Sequence, residues 1–273
     1  MKHPDLGHPS PYSTQNGYNI SPDQPILDHG QTQSEGSGPH IARIKKMNGF
    51  YVKQKPNWCE ILTKCRMPNK YKIYDKSPSG DERKGDILYQ CKEISGCFCR
   101  THVSNCCRPF KVDIVSVNSN GSTEKYQPCL EMEKPCVCNV LWCNVPYVNI
   151  NYVENGQSVN LGKIIYPYVW CCNNLDINDA KGNRRFTVHA DCCQCGFWCK
   201  CPYQNCQTFV FDVYGGEKSI KLGSIIRTQN DYFKACYTDL DSFSFGFDSS
   251  MDWKDRSLLL CASIFLDYMK FEF

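Results

Sequence analysis

Two residue types in this chain are grouped so that they could do chemistry: aspartate and cysteine. Asp239, Asp241, Asp248 and Asp252 fall at relative positions 1, 3, 10 and 14 of one short stretch. Ca²⁺ is a hard cation that takes six to eight oxygens, so clustered carboxylates suit it. An EF-hand loop also needs an oxygen donor at position 5, Gly at 6 and Glu at 12. Here those places hold Phe243, Ser244 and Ser250. The stretch is therefore not an EF-hand, and any Ca²⁺ it holds is expected to bind weakly, near the millimolar end of the range. The plain alternative is a strand start followed by a helix cap, with solvated acids.

The cysteines number 21, an odd count, so they cannot all pair within the chain. Residues 1–9 lack the apolar core of an export signal, so a reducing compartment with few disulfides is expected. Most of the thiols fall in groups: Cys97/Cys99/Cys106/Cys107, Cys136/Cys138/Cys143, Cys171/Cys172, and six between Cys192 and Cys206. The last group could furnish four thiolates for Zn²⁺. Cys-x-Cys and Cys-Cys pairs, however, alternate across a strand, which scatters their thiols. Cys136, Cys138 and Cys143 lie among Val137, Val140, Leu141 and Trp142. Thiols beside apolar residues suit S-palmitoylation, which would add a membrane anchor.

Covalent catalysis is not expected. Outside the first 40 residues the histidines are His102 and His189, and neither sits in a nucleophile motif. No phosphate loop, nucleophile elbow, H-E-x-x-H or kinase signature is present.

The elements that must position these groups read mainly as β. Phe110–Val117 begins with alternating apolar residues and leads into Asn118-Ser119-Asn120-Gly121. Val148–Tyr152 alternates and runs into Asn155-Gly156, a pair that takes positive φ readily and suits a tight hairpin. Asp176–Asn178, Phe186–Val188, Phe209–Val213 and Phe243/Phe245/Phe247 continue the pattern between glycine turns. Ser158–Ile165 repeats as Ser219–Ile226 at an offset of 61 residues. A duplicated β-meander of this kind fits a closed antiparallel barrel, which leaves no sheet edge exposed.

The C-terminal stretch differs. Leu258–Met269 is apolar nearly all round and reads as a helix, capped by Ser249 or Ser250 and favoured by Asp252 and Asp255 in its first turn. Arg256 and Lys270 bound a run of only 13 residues, interrupted by Asp267. A bilayer span needs about 20 apolar residues. A helix enclosed by a barrel is the better physical fit, because an all-round apolar helix has to be surrounded by something.

Composition bounds the rest. With 273 residues, 41% hydrophobic and 22% charged, the chain can bury one sizeable core. The net charge of +3 is too small for polyanion binding by bulk charge, so nucleic acid is not the expected partner. Residues 1–40 carry six prolines, five glycines and four histidines at a net charge of −3, and read as a disordered tail. Within it Pro22-Asp23-Gln24-Pro25 fits a PxxP ligand for an SH3-type domain. Residues 41–72 then carry nine basic side chains against Glu60. They read either as a solvated basic face or as a segment drawn to an anionic membrane surface.

Taken in order, these residues resemble the phospholipid scramblase family from about Asn48 to Phe273. The resemblance rests on Asn69-Lys70-Tyr71, Cys107-Arg108-Pro109-Phe110, the Cys136–Cys143 and Cys192–Cys206 groups, Thr238–Phe243, and Cys261–Glu272. It implies a tubby-like barrel, spanning about 69–248, with the hydrophobic C-terminal helix, about 251–271, through its centre. It also implies Ca²⁺-triggered, ATP-independent, bidirectional movement of phospholipids at the plasma membrane. Asp239, Asp241, Asp248 and Asp252 would be the Ca²⁺ residues, and Cys136, Cys138 and Cys143 the acylated ones, on the anionic cytoplasmic leaflet. Ser250 stands where familiar members carry an acid, and the Cys136–Cys143 group is sparser than the family's run. The competing function is a palmitoylated, membrane-tethered binding module without intrinsic scrambling. A scrambling path would require oligomerisation or local membrane thinning, because one short helix cannot form a polar groove.

Overall fold

The structure is a computed structural model. It describes residues 38–55, 67–76, 86–96, 100, 103–104, 107–117, 123–137, 144–167, 172–194, 197, 207–216, 220–229 and 241–271. The compact unit that carries the fold is Gly36–Phe273.

A short helix, α1 (Pro39–Lys46), opens the described chain, with proline in its first turn, where the missing N–H costs nothing. Twelve strands follow: β1 (Gly49–Gln54), β2 (Lys70–Asp75), β3 (Ile87–Ile94), β4 (Phe110–Val117), β5 (Thr123–Lys134), β6 (Tyr147–Glu154), β7 (Gln157–Ile165), β8 (Cys172–Asp179), β9 (Arg184–Asp191), β10 (Thr208–Gly215), β11 (Ile220–Gln229) and β12 (Asp241–Gly246). The last element is α2 (Trp253–Lys270). The strands pair in sequence order, all antiparallel, and β12 closes on β1 as a barrel. The basic segment 41–72 thus becomes α1, β1 and the start of β2. The barrel begins at Gly49, well before the Asn69 at which the sequence signals it.

The expected turn chemistry appears in the hairpins. Glu154 pairs with Gln157, and between them Asn155 and Gly156 adopt φ of 53° and 79°. Two positive φ values in a two-residue loop are the type I′ pattern, whose twist matches the flanking strands. The repeated segments form the hairpins β6–β7 and β10–β11. Each carries a bulge, between Ile150/Asn151 and Val213/Tyr214. The copies are offset by four strand positions, a third of the way round the twelve-strand ring, with β8 and β9 between them.

Inward residues alternate along each strand and meet α2, which fills the barrel. Phe50, Val52, Tyr71, Ile73, Val112, Ile114, Val148, Ile150, Val188, Phe211 and Phe245 are all buried. Every residue of α2 from Asp255 to Tyr268 is buried as well. A helix of 18 residues is about 27 Å long, enough to run the length of these strands. Asp252, not Ser249 or Ser250, supplies the N-cap: its carboxylate accepts the Trp253 N–H at 2.6 Å. Ser249 and Ser250 lie in the preceding turn, beside Asp248.

The two ends of the barrel differ. At the turn pole lie the tight hairpins and the start of α2. At the other pole α2 ends, and the chain joins β1 to β2, β3 to β4, β5 to β6, β7 to β8, β9 to β10 and β11 to β12. By sequence these six joining segments, with Cys172 at the head of β8, hold 18 of the 21 cysteines. The other three, Cys91, Cys129 and Cys261, are buried in the core. The joining segments at the turn pole hold none.

Candidate functional site

The helix inside the barrel is held by polar contacts at both poles. At the turn pole, buried Arg256 donates from Nη1 to the carbonyl oxygens of Ile44 (3.2 Å), Lys45 (2.9 Å) and Met47 (2.8 Å). Its Nε donates to Met251 O at 3.0 Å. These carbonyls lie at the C-terminal end of α1, its negative dipole end, where Ile44 O also accepts the Met47 N–H at 3.3 Å. Asp255 beside it takes a two-pronged contact from Arg185 of β9, at 3.1 and 2.7 Å. Trp253 packs edge-on against Tyr152.

At the cysteine pole, Tyr71 of β2 donates to Asp267 at 2.7 Å. Asp267 is the acid that interrupts the apolar run, and it sits 1% exposed. Next to it the Tyr268 hydroxyl donates to Glu93 at 3.1 Å. Glu93 also takes the buried guanidinium of Arg108 and the Ser95 hydroxyl. Burial alone would push the Glu93 carboxyl up. The Asn69 N–H, Ser95 and Arg108 outweigh it and hold the group below the usual glutamate range. Buried Lys134 donates to Arg108 O at 2.9 Å. Phe110 stacks on Tyr268 at 4.2 Å, and Phe271 packs on Phe209 and over Arg227. The interior is therefore a packed core, crossed by a helix with a charged anchor at each end.

The residues singled out by their grouping are placed as follows. Asp239 lies outside the described residues. Asp241 opens β12, opposite Gln229. Asp248 is exposed and accepts the Ser250 N–H at 3.0 Å, which holds its carboxyl below the usual range. Asp252 caps α2. Each of the last two spends an oxygen on local backbone. Among the described residues no three His, Cys, Asp or Glu side chains converge as metal ligands. The described part of the segment does not by itself make the oxygen shell that Ca²⁺ requires.

Cys136 follows β5 at the cysteine pole, with an exposed thiol. Cys138 and Cys143 lie outside the described residues, as does Pro22-Asp23-Gln24-Pro25. Of the Cys192–Cys206 group, Cys192 and Cys193 follow β9 with their sulfurs 3.9 Å apart. The anchors Arg108, Arg185 and Glu93 were not picked out by grouping. They are single charges whose partners lie outside any local grouping, 15 positions apart for Glu93 and Arg108 and 70 for Arg185 and Asp255.

The fold and its anchors set the frame for comparison with known proteins. The family model described as Scramblase matches residues 30–273. The chain belongs to the scramblase family. Human phospholipid scramblase 1 is 21% identical over 234 residues, covering 86% of this chain and 66% of the relative. Human phospholipid scramblase 2 is 21% identical over 235 residues, covering 86% of this chain and 71% of the relative. Rat phospholipid scramblase 1 is 23% identical over 237 residues, covering 86% of this chain and 63% of the relative. The chain thus spans about two thirds of the length of these relatives. No solved structure matches it.

For this scramblase-family chain, the tubby-like barrel with a central helix is the observed architecture. Among the described residues no helix is long and apolar enough to cross a membrane. The hydrophobic C-terminal helix is instead spent inside the barrel, where strands on all sides supply the apolar surroundings it needs.

Proposed function

We propose that this chain is a phospholipid scramblase, moving phospholipids in both directions between leaflets without ATP. The observation that carries this is the family match, which runs through the whole barrel and the enclosed helix. The place of action is the cytoplasmic face of the plasma membrane, with Cys136, Cys138 and Cys143 as acylation sites. Cys136 supports this with an exposed thiol. No covalent step is involved.

The packed interior shapes how such an activity would work. A phosphate headgroup cannot cross hydrocarbon without a polar path, since an unpaired charge there costs many kcal/mol. With α2 filling the barrel, that path lies along the outside of the protein, through local thinning of the bilayer or between assembled copies. Ca²⁺ is proposed as the trigger through Asp239, Asp241, Asp248 and Asp252, on the resemblance of the segment.

The test is a vesicle assay on the purified chain. Fluorescent lipid is placed in both leaflets and an impermeant reductant bleaches the outer one. Bleaching beyond half supports scrambling. Dependence on millimolar Ca²⁺ that is lost in Asp239→Ala/Asp241→Ala assigns the trigger. A plateau at half, with the protein still bound, overturns the reading in favour of a membrane-tethered binding module.

A further inference from the structure

The outer face of β1–β3 is basic in an unusual way. Lys53 pairs across β1–β2 with Lys72, and Lys70 pairs across β2–β3 with Lys92. Like charges placed directly opposite each other destabilise a sheet. Two such pairs lie side by side here, offset in part by Asp113 of β4, which stands opposite Lys92. Lys55, just past β1, joins it: Lys55, Lys70, Lys72 and Lys92 surround a hollow of about 320 Å³, with Gln90 at its wall. That is the lower end of the size range of small-ligand sites. Lys55, Lys70 and Lys92 are exposed.

Three further observations say what this wall faces. The hollow lies toward the cysteine pole, since Lys55, Lys70 and Lys92 stand at the ends of β1, β2 and β3 that meet there. Ile94, two residues beyond Lys92 on the same outer face, is 48% exposed. A bare aliphatic beside a lysine cluster suits the boundary between headgroups and acyl chains. Third, β8 stands six strands from β2 in the twelve-strand ring, on the far wall. There β8–β10 carry Asp176, Asp179, Asp191 and Asp212 against Arg184 and Arg185. Asp113 of β4 stands opposite Lys92, so the basic face is confined to β1–β3.

We infer that the lysine hollow on β1–β3 seats the anionic headgroups of membrane lipids and docks the barrel on the bilayer by this wall and the cysteine pole. The inference deepens the scramblase reading, because it takes the same membrane as partner and names the surface that meets it. Phosphate or carboxylate oxygens of a headgroup would enter among the ammonium groups, Ile94 would enter the interface, and the exposed Cys136 thiol would face the same side.

Binding of the full chain to vesicles tests it, by sedimentation, with phosphatidylcholine alone and with about a fifth replaced by phosphatidylserine. Each basic group near an anionic surface contributes about a fivefold gain in partition. Lys70→Gln/Lys72→Gln/Lys92→Gln should therefore lose roughly a hundredfold on anionic vesicles. It should still melt close to the wild-type temperature, since relief of the Lys53–Lys72 and Lys70–Lys92 pairs offsets loss of the Lys92–Asp113 contact. Lys181→Gln/Arg184→Gln/Lys221→Gln removes the same charge elsewhere and should lose less than about fivefold. Ile94→Ser should weaken, severalfold, the part of binding that persists in high salt. Equal losses in both triple variants overturn the inference, as does no loss in either. So does loss confined to duplex DNA, or displacement by inorganic phosphate with no requirement for anionic lipid. The flip assay run on the same samples separates the two claims. Docking without flipping removes the scramblase reading alone, and flipping with unchanged docking of the first triple variant removes the docking site alone.

Discussion

Arg256 donates to the carbonyl oxygen of Met47 at 2.8 Å, across 209 positions of sequence. One is in the first turn of the enclosed helix and the other is the C-cap of the short helix that precedes the barrel. The contact means that the start of α2 and the end of α1 are fixed by one guanidinium, which also takes Ile44 O and Lys45 O. Ile44 and Met47 are buried, so their carbonyls have no ready route to water, whereas Lys45 is exposed.

Arg256→Met keeps much of the side chain's length and removes the donors. Hydrogen bonds to charged groups contribute about 1.5–3 kcal/mol each, and the stranded carbonyls add their desolvation cost. The expected loss is roughly 3–5 kcal/mol, read as a fall in the urea midpoint with little change in slope. A loss below about 1 kcal/mol would mean that α1 is not held by this contact.

Glu93 makes stability depend on acid pH. Its folded pKa lies below the ordinary value, ~4.3, so the folded state binds this proton less readily than the unfolded chain. The associated stability is fully present above the ordinary glutamate pKa and drains as pH falls through the lower folded value. Thermal melting from pH 7 down to about 3 should show this slope, and Glu93→Gln should flatten it. The same variant leaves the Arg108 guanidinium buried without its counter-charge and should lose about 3–5 kcal/mol near neutral pH. An unchanged acid slope in the variant would assign the slope to other carboxylates.

How much of this was legible in the sequence depends on the range of the signal. Asn155-Gly156 named its hairpin because the positive φ it requires is written in two adjacent residues. The alternating Phe243 and Phe245 named an inward face for the same local reason. The enclosed helix was legible because length and Asp267 both argued against a bilayer span. Its N-cap was not: Ser249, Ser250 and Asp252 are all good caps, and only the path of the turn after β12 decides among them. The first strand was missed because Gly49–Gln54 sits within a run of basic residues whose charge masks the period. The anchor Glu93–Arg108 depends on the pairing of β3 with β4, and Arg185–Asp255 joins residues that only the folded barrel brings together. The lysine rows on β1–β3 depend on register, and each lysine alone reads as an ordinary solvated charge.

The repeat offers a matched pair of glycines. Gly162 of β7 and Gly223 of β11 occupy the same place in the two copies. A Cβ on Gly162 would overlap the Asn178 carbonyl oxygen, which is backbone and cannot yield without moving β8. A Cβ on Gly223 would meet only the Phe245 ring edge, at 3.1 Å. Gly162→Ala should therefore cost about 2–3 kcal/mol or prevent folding, whereas Gly223→Ala should cost about 1 kcal/mol or less. Equal costs in chemical denaturation would show that β7 and β8 can part at that point.

The last prediction asks whether α2 stays in the barrel when the protein sits on a membrane. Cys91 and Cys129 line the interior and Cys261 is on the helix; all three are buried. Burial pushes their thiols up, Cys129 to about 12, so little thiolate forms at neutral pH. Cys136 and Cys193 are exposed and should react rapidly with an impermeant maleimide. If α2 remains enclosed, Cys91 and Cys129 stay unreactive on vesicles, as they are in solution. If α2 leaves to enter the bilayer, Cys261 stays shielded by lipid, but Cys91 and Cys129 lose their cover and become labelled. Mass spectrometry of the labelled peptides separates the two outcomes. Protection is expected, because departure of α2 would also take Asp267 from Tyr71 and Arg256 from the carbonyls it holds. Each such buried group left without its partner costs about 1–3 kcal/mol.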